Sequence, residues 1–361
     1  LRMTNVPKIG GLSLNDFSVR LTSKPKVRPE LVASFSLQPD GQSGLSHIVG
    51  NTTTFKTTAS LGIGLDGNLI ANVFNIQILS DLARVELSGE MHEGNRLILN
   101  TPSMFSYTFT AAGLHSMGVA ADNYLFNHAA PLEMTIDSSH IPTSINDFSL
   151  LKLSGKLKIN DFQLMKNTLS KESLAVIDNL TADWAIDAAS KLISIDFTGI
   201  TRLGKNQGAG KINGSVQLTK WIQNGVLDIN QAVARLNVNA SKLPTELVSA
   251  LSGHKYLVPI VGNALDLSLE ADASLAQTEK GTISIDINSE NLSGGFGLSL
   301  GDEVQLSNKR PAEFTLKLTP QGYAAFRTHI NKNYAGNFVL SESTTAKLKL
   351  NSLRLPRSQP Y

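Results

Sequence analysis

Strict alternation of apolar and polar residues recurs along the chain and restricts the possible folds more than any other feature. The clearest segments are 11–21, 95–100, 104–110, 150–159, 192–200, 212–218, 234–240, 264–275, 281–287, 313–318 and 346–355. Because successive side chains of a strand point to opposite faces, each segment forms a strand with one apolar and one polar face. The pattern predicts a mainly β protein of long, antiparallel, meandering sheets, each wet on one face only.

A few short capping helices interrupt this pattern, which makes the predicted class α+β. We expect them near 30–36, 111–126, 244–252 and 320–330. The third is the clearest, because Pro244 and Glu246 suit a helix start and Gly253 suits its end. Its residues Leu247 and Leu251 fall on one apolar stripe.

Internal similarity predicts a tandem repeat of about 209 residues. The segments "ELVASFS" (30–36) and "ELVSALS" (246–252) each lead to "IVGN", at 48–51 and 260–263. A second match keeps a constant offset of 209 residues, and pairs Leu97, Pro102, Phe105, Thr110 and Gly113 with Leu306, Pro311, Phe314, Thr319 and Gly322. The predicted units are 1–209 and a C-terminally truncated 210–361. The tripeptide "NDF", at 15–17, 146–148 and 160–162, suggests a smaller strand-and-turn unit that competes with this register.

Composition excludes several classes of function. The chain has no cysteine, so disulfides, cysteine-bound metals and thiol catalysis are absent. The net charge is +2 and the sequence has no dense run of basic residues, so it gives no indication of nucleic-acid binding. No apolar run approaches the ~18 residues of a transmembrane helix. The sequence starts at Leu1 without a signal peptide, and we expect it to be a segment of a longer, membrane-anchored protein.

Motifs for catalysis are weak. Ser299 lies in "GLSLG", which fits G-x-S-x-G, but the flanking residues predict strands and not the strand–turn–helix of a nucleophile elbow. The segment 204–214, "GKNQGAGKING", fails the P-loop spacing and is predicted to be a hairpin loop. None of the seven histidines has the spacing of a helical metal pair. We therefore name no catalytic, cofactor-binding or metal-binding residue, and predict that the chain is not an enzyme.

The apolar sheet face is the remaining functional candidate. It either packs against a second sheet and the helices, or curls and leaves a groove for an apolar ligand. Composition alone favours the packed sandwich, since buried sheet faces are ordinary.

The middle of the chain, "LKINDFQL" through "LDLSLEADASL", resembles the AsmA/TamB-like superfamily of bacterial envelope proteins, most clearly over 145–275. Strands of "xLxLxxLxL" pattern and an "LP" step before a short helix carry the likeness. The resemblance implies sheets curled into an apolar groove, a periplasmic location in a Gram-negative-type bacterium, and phospholipid transport or outer-membrane assembly. It implies no catalytic residue and no cofactor.

On this interpretation, alternate apolar residues shield acyl chains, and other envelope proteins are possible partners. Six examples are Leu265, Leu267, Leu269, Ile283, Ile285 and Ile287. Which apolar residues would contact lipid is left open. The alternative is a structural or interaction scaffold with a closed, dry β core.

Overall fold

The computed structural model describes residues 2–3, 6–9, 12–24, 27–39, 50–63, 69–92, 96–100, 103–110, 124–126, 131–142, 148–166, 173–204, 209–252, 257–274, 281–301, 303–307, 310–330 and 339–356. Within these ranges the chain is mostly β, as the alternation predicts. In the described ranges one antiparallel sheet contains 23 strands, and a separate ribbon contains two. Three short helices and one 3-10 turn complete the described elements.

The strands in the first half of the chain are β1 (Arg2–Met3), β2 (Val6–Ile9), β3 (Leu12–Lys24), β4 (Val27–Pro39), β5 (Thr53–Ile63), β6 (Leu69–Leu79), β7 (Ala83–His92), β8 (Arg96–Leu99), β9 (Ser103–Thr108), β10 (Tyr124–Phe126), β11 (Pro131–Pro142), β12 (Lys152–Lys166) and β13 (Ser173–Asp187). Those in the second half are β14 (Leu192–Leu203), β15 (Ala209–Thr219), β16 (Ile222–Gln223), β17 (Val226–Leu227), β18 (Val233–Pro244), β19 (Ala264–Ser274), β20 (Gly281–Ser289), β21 (Leu292–Leu300), β22 (Glu303–Leu306), β23 (Ala312–Leu318), β24 (Thr344–Leu350) and β25 (Arg354–Pro356). The helices are α1 (Thr245–Ser252), α2 (Leu257–Val261), α3 (Pro320–Ile330) and the 3-10 turn Ile229–Gln231.

Strand order follows the chain, so the sheet is a meander. Strands β3 to β7 pair in sequence, and β8 and β9 then share the next position beside β7. Strands β11 to β15, then β18 to β21, continue the series. Beyond β21 the positions are again shared, by β22 with β23 and then by β25 with β24.

Bulges keep the apolar residues on one face where the alternation breaks. Two of the "NDF" tripeptides place their aspartate in the left-handed region, Asp16 at φ 52° and Asp161 at φ 49°. At the first, the register of β3 against β4 shifts between Asn15 and Ser18. An extra residue reverses the facing of every residue after it. The third "NDF" lies largely outside the described residues.

The sheet bends sharply at β15. Strands β14 and β18 lie on either side of β15, yet they have Cα atoms within 8 Å of each other. In a flat sheet, two strand spacings would separate them by about 9.6 Å. Helix α1 contacts both β13 and β18 from the apolar side. The apolar face is therefore concave here.

Two predicted helices are confirmed and one is wrong. Helices α1 and α3 occupy 245–252 and 320–330. Residues 30–36 instead form the middle of β4, where Leu31 and Ala33 pair with β3 on one side and β5 on the other. Phe35 pairs with Phe55 of β5 and lies beside the bulge in β3. The apolar residues of this segment fit both the helical and the strand period. Hydrogen bonding to a strand on each side makes the segment a strand. Most of the predicted helix 111–126 lies outside the described residues, and its last three form β10.

Two stretches of the sheet share the same hydrogen-bonded arrangement. Thr108 N donates to Leu82 O at 2.7 Å, and 209 residues later Lys317 N donates to Asn291 O at 2.7 Å. Phe105 lies opposite Met134 in β11, as Phe314 lies opposite Leu348 in β24. The sheet continues unbroken across residue 209, and the division of the whole chain into two repeats stays a prediction.

Candidate functional site

One row of directly opposed apolar residues crosses fourteen consecutive strand positions on the same face of the sheet. Each member is the register partner of the next. The row consists of Phe35, Phe55, Ile78, Val85, Phe105, Met134, Leu157, Ala182, Phe197, Gly214, Val238, Leu269, Ile285 and Phe296, and we call it the central row. At about 4.8 Å per strand it is about 60 Å long. It contains no polar side chain.

The central row is only partly covered. Ala182 is its single buried member, and the other thirteen are of intermediate exposure. Neighbouring side chains on the same strands account for partial shielding, whereas a second packed layer would bury such residues almost fully. Within the described residues, therefore, most of the row faces no second layer.

Aromatic rings on this face lie close to glycines of the adjacent strand. A Cβ added to the glycine would stand 2.6–2.9 Å from the ring in four directly opposed pairs. The pairs are Phe74 with Gly89, Trp184 with Gly155, Phe197 with Gly214 and Phe314 with Gly294. Any side chain at the glycine would force the ring away from the sheet. At these four positions the absence of a Cβ lets both the ring and a neighbouring backbone oxygen lie close to the glycine.

Helices α1 and α2 cover one end of the apolar face, which we call the closed end. Leu247 and Ala250 of α1 pack with Leu164 of β12, Leu243 of β18 and Leu265 of β19 in one buried cluster. Leu164 is 0% exposed, in contrast to the central row. This end is a conventional core.

Three buried hydroxyl groups also lie at the closed end. Thr245 and Ser249 stand one turn apart on α1, and Thr201 belongs to β14. All three residues are at most 1% exposed, and their hydroxyls have no hydrogen-bond partner among the described residues. The closed end thus contains buried polar groups as well as apolar side chains.

Tyr107 of β9 extends the buried region. Its ring meets Phe109 edge-on at 5.3 Å between centroids, and Phe109 meets Phe162 of β12 at 6.4 Å. The phenol oxygen is buried without a partner among the described residues. Burial raises the pKa of Tyr107, because the phenolate would lose its hydration.

A smaller cluster covers the opposite ends of β13 and β15. Trp221 and Ile222 are buried there with Ala188 and Ala232, and Phe148 packs against them. The two clusters therefore lie at opposite strand ends, with the central row between them.

The other face of the sheet is mainly polar, although Val73, Met104 and Ile200 are exposed on it. Behind the central row runs a second row of register partners, from Ser36 to Lys349, in which Leu79 is the only apolar side chain. A hollow of about 870 Å³ on this face is lined by charged, amide and hydroxyl residues together with the apolar residues Ala240, Leu267, Ile287 and Pro311. Three of the charged residues that line it form salt bridges: Arg310 pairs with Asp286, and Glu313 pairs with Lys349 at 2.6 Å.

The structure brings together all six residues that exemplify the predicted apolar surface. Leu267 lies opposite Ile287, and Leu269 lies opposite Ile285. Leu265 belongs to the buried cluster of the closed end, and Leu267 packs against it. The six therefore divide between core and partly exposed surface, a distinction that alternation cannot make.

Ser299 lies on the polar face of β21, opposite Thr282 of β20 and Gln305 of β22. It is therefore a polar residue within paired strands, as its context predicts. The described parts of 204–214 belong to the β14–β15 hairpin. His254, next to α1, lies outside the described residues. In the described part of the chain, no three His, Asp or Glu side chains are grouped as metal ligands.

No family model, curated protein or solved structure matches the chain. Helices long and apolar enough to span a membrane are absent from the described ranges.

Two features of the site could not be predicted from the sequence: the central row and the aromatic–glycine pairs. The central row depends on register, which bulges and turns set over the whole sheet. The aromatic–glycine pairs join residues up to 29 positions apart, as in Gly155 and Trp184. The recurrence of isolated glycines inside alternating strands is the one available signal, since such glycines often mark close approach.

Proposed function

We propose that the protein is a non-enzymatic component of a bacterial envelope that binds lipid acyl chains on its apolar face. Lipid transport or outer-membrane assembly would be the process it supports. The observation that carries the proposal is the central row, because it is long, free of polar side chains and partly exposed. The periplasmic location and the process itself rest on the AsmA/TamB-like resemblance alone.

The energetics of such binding are favourable without specific contacts. Each methylene removed from water contributes about 0.8 kcal/mol, so ten covered methylenes contribute about 8 kcal/mol. Aromatic rings held close to glycines, and small residues such as Ala182 and Gly214, leave room above the sheet for a flexible chain. The polar headgroup would remain in water beyond the face. Binding of this kind selects for acyl chains but not for one headgroup.

The alternative is a scaffold module with a closed, dry core. Such a core would bury the central row, and the closed end shows that this chain can build one. The described strands of the central row lack an equivalent cover. This contrast favours lipid over a closed core.

Lipid binding can be tested by extracting the purified chain with organic solvent and searching the extract for phospholipid by mass spectrometry. A fluorescent phospholipid then measures uptake by the delipidated protein. The variant Val238→Asp places a charge in the central row and should reduce uptake at least tenfold.

Asn237→Asp is the matched control, because it introduces the same residue one position away on the polar face. Its side chain retains the oxygen that accepts from Asn239. Uptake by this variant should equal that of the wild type. Finding no phospholipid in the extract and no uptake would contradict the proposal and favour the scaffold.

A further inference from the structure

The hollow of about 870 Å³ on the polar face extends over six strands, β15, β18, β19, β20, β21 and β23. Its volume lies within the roughly 300–1,000 Å³ of pockets that bind small molecules. The row of register partners from Ser36 to Lys349, which we call the polar row, crosses the hollow at Asn213, Asn239, Ser268, Asp286, Gly295 and Glu313.

Gly295 is the one glycine of the polar row. Its missing side chain leaves space between Asp286 and Glu313, its register partners on the two adjacent strands. An isolated glycine within a strand often marks the close approach of a ligand or of another backbone. The hollow therefore includes an interruption of the polar row.

The segment before β23 contributes Arg310 and Pro311 to the lining, and Arg310 is held in place by several contacts. Its guanidinium donates to the hydroxyl of Ser284 and pairs with the carboxylate of Asp286. Its carbonyl oxygen accepts from Gly297 N at 3.2 Å. This side of the hollow is therefore fixed by contacts within the protein before any ligand binds.

The charges around the hollow are balanced. Two cationic residues, Lys211 and Arg310, line it together with three carboxylates, and one of these, Glu313, pairs with Lys349 just outside. Three cations therefore accompany three carboxylates. Nucleic acids bind where cations are in excess, and calcium or magnesium binds where oxygen ligands, mostly carboxylates, converge. The hollow instead suits a ligand without net charge.

Five polar side chains of the lining make no hydrogen bond or ion pair within the described ranges, and none of the five is buried. They are Lys211, Asn213, Ser241, Asn288 and Ser293. Lys211 lies directly opposite Ser241, and Asn288 lies directly opposite Ser293. Amide and hydroxyl side chains can both donate and accept hydrogen bonds, and so can a hydroxyl group of a ligand. These side chains are therefore complementary to a ligand that carries several hydroxyl groups.

We propose that this hollow binds a short, uncharged oligosaccharide. Asn213, Asn288 and Ser293 exchange hydrogen bonds with its hydroxyl groups, and the exposed Pro311 offers a carbon surface to the C–H face of a sugar ring. An extended peptide fits less well, because its backbone pairs with the edges of sheets and the hollow lies on a sheet face. The hollow and the central row lie on opposite faces, so this inference does not depend on lipid binding.

An array of oligosaccharides tests the proposal on the intact, delipidated chain. The array contains neutral oligosaccharides of glucose, galactose, mannose and N-acetylglucosamine, together with sulfated and sialylated ones. Neutral oligosaccharides should bind, and the acidic ones should not bind more tightly. Titration calorimetry with the best neutral oligosaccharide should then give a Kd between micromolar and millimolar.

Variants of the protein test where that oligosaccharide binds. Asn288→Ala with Ser293→Ala removes an opposed amide and hydroxyl from the hollow, and should weaken binding at least tenfold. The matched control, Asn75→Ala with Ser88→Ala, removes an opposed asparagine and serine from the polar face outside the hollow, and should leave the affinity unchanged. Asn213→Ala, a single change on another strand of the hollow, should weaken binding at least about threefold. Urea unfolding checks that each variant is folded.

Four results would overturn the proposal. The first two are no binding of any neutral oligosaccharide at millimolar concentration, and a preference for the acidic ones. The third is an equal loss of affinity in the control variant. The fourth is an unchanged affinity in both variants of the hollow, because the oligosaccharide would then bind elsewhere on the protein.

Discussion

Two leucines on the same face of the sheet should differ widely in their contribution to stability. Leu164 lies in the closed end and is 0% exposed, whereas Leu269 lies in the central row with intermediate exposure. Both are strand residues, and both can be changed to alanine. Comparing Leu164→Ala with Leu269→Ala therefore tests whether the central row is open.

The expected losses follow from the two environments. Leucine to alanine removes three carbon groups, worth about 2.4 kcal/mol when all are buried. At Leu164 the surrounding side chains leave a cavity, which raises the loss to about 3–4 kcal/mol. At Leu269 part of the side chain is already in water and solvent can enter the space. The loss there should be about 1–1.5 kcal/mol.

Equilibrium unfolding in urea, followed by circular dichroism, gives both values if each transition is two-state with an unchanged slope. Glu270→Ala, on the polar face beside Leu269, serves as the surface control and should change stability by less than about 0.5 kcal/mol. Losses at Leu164 and Leu269 that agree within about 0.5 kcal/mol would show that the central row is not open. They would mean that the central row is buried as deeply as the closed end.

Three further predictions concern single contacts. Gly214→Ala should cost at least about 2 kcal/mol in urea unfolding, because its Cβ would stand 2.6 Å from the Phe197 ring and 2.4 Å from a backbone oxygen; Gly301→Ala, with nothing nearer than 3.8 Å, should be nearly neutral. Above pH 10 the unfolded chain loses the Tyr107 proton while the folded chain retains it, so the wild type should lose stability more steeply than Tyr107→Phe; parallel pH profiles would contradict this. Thr319→Ala removes the hydroxyl that accepts from Gly322 N at 3.0 Å at the start of α3, and should lower the free energy of unfolding by about 1 kcal/mol, whereas Thr319→Ser should not.

Alternation predicts the strands and their two faces because its physical basis is local. Leu267, Leu269, Ile283 and Ile285 needed no tertiary information to be assigned to one face. The segment 30–36 shows the limit of this reasoning. Its apolar residues satisfy a short helix and a strand equally, and only the flanking strands β3 and β5 decide between them.

Exposure could not be predicted from the sequence. Leu265 and Leu269 both alternate with polar residues along β19. Leu265 packs against α1 and α2, whereas Leu269 does not. Which part of a sheet face a helix covers depends on curvature, here the bend at β15. The alignment of fourteen residues in the central row likewise depends on every bulge and turn before it.

The most direct test of lipid binding is photocrosslinking inside bacterial cells. A photoreactive phenylalanine analogue is placed at Leu269, in the central row, or at Glu270, the next residue, on the polar face. After irradiation, mass spectrometry identifies adducts on the purified protein. Acyl-chain binding on the central row should give phospholipid adducts at Leu269 and few at Glu270. No lipid adduct at Leu269, or equal amounts at both positions, would contradict it.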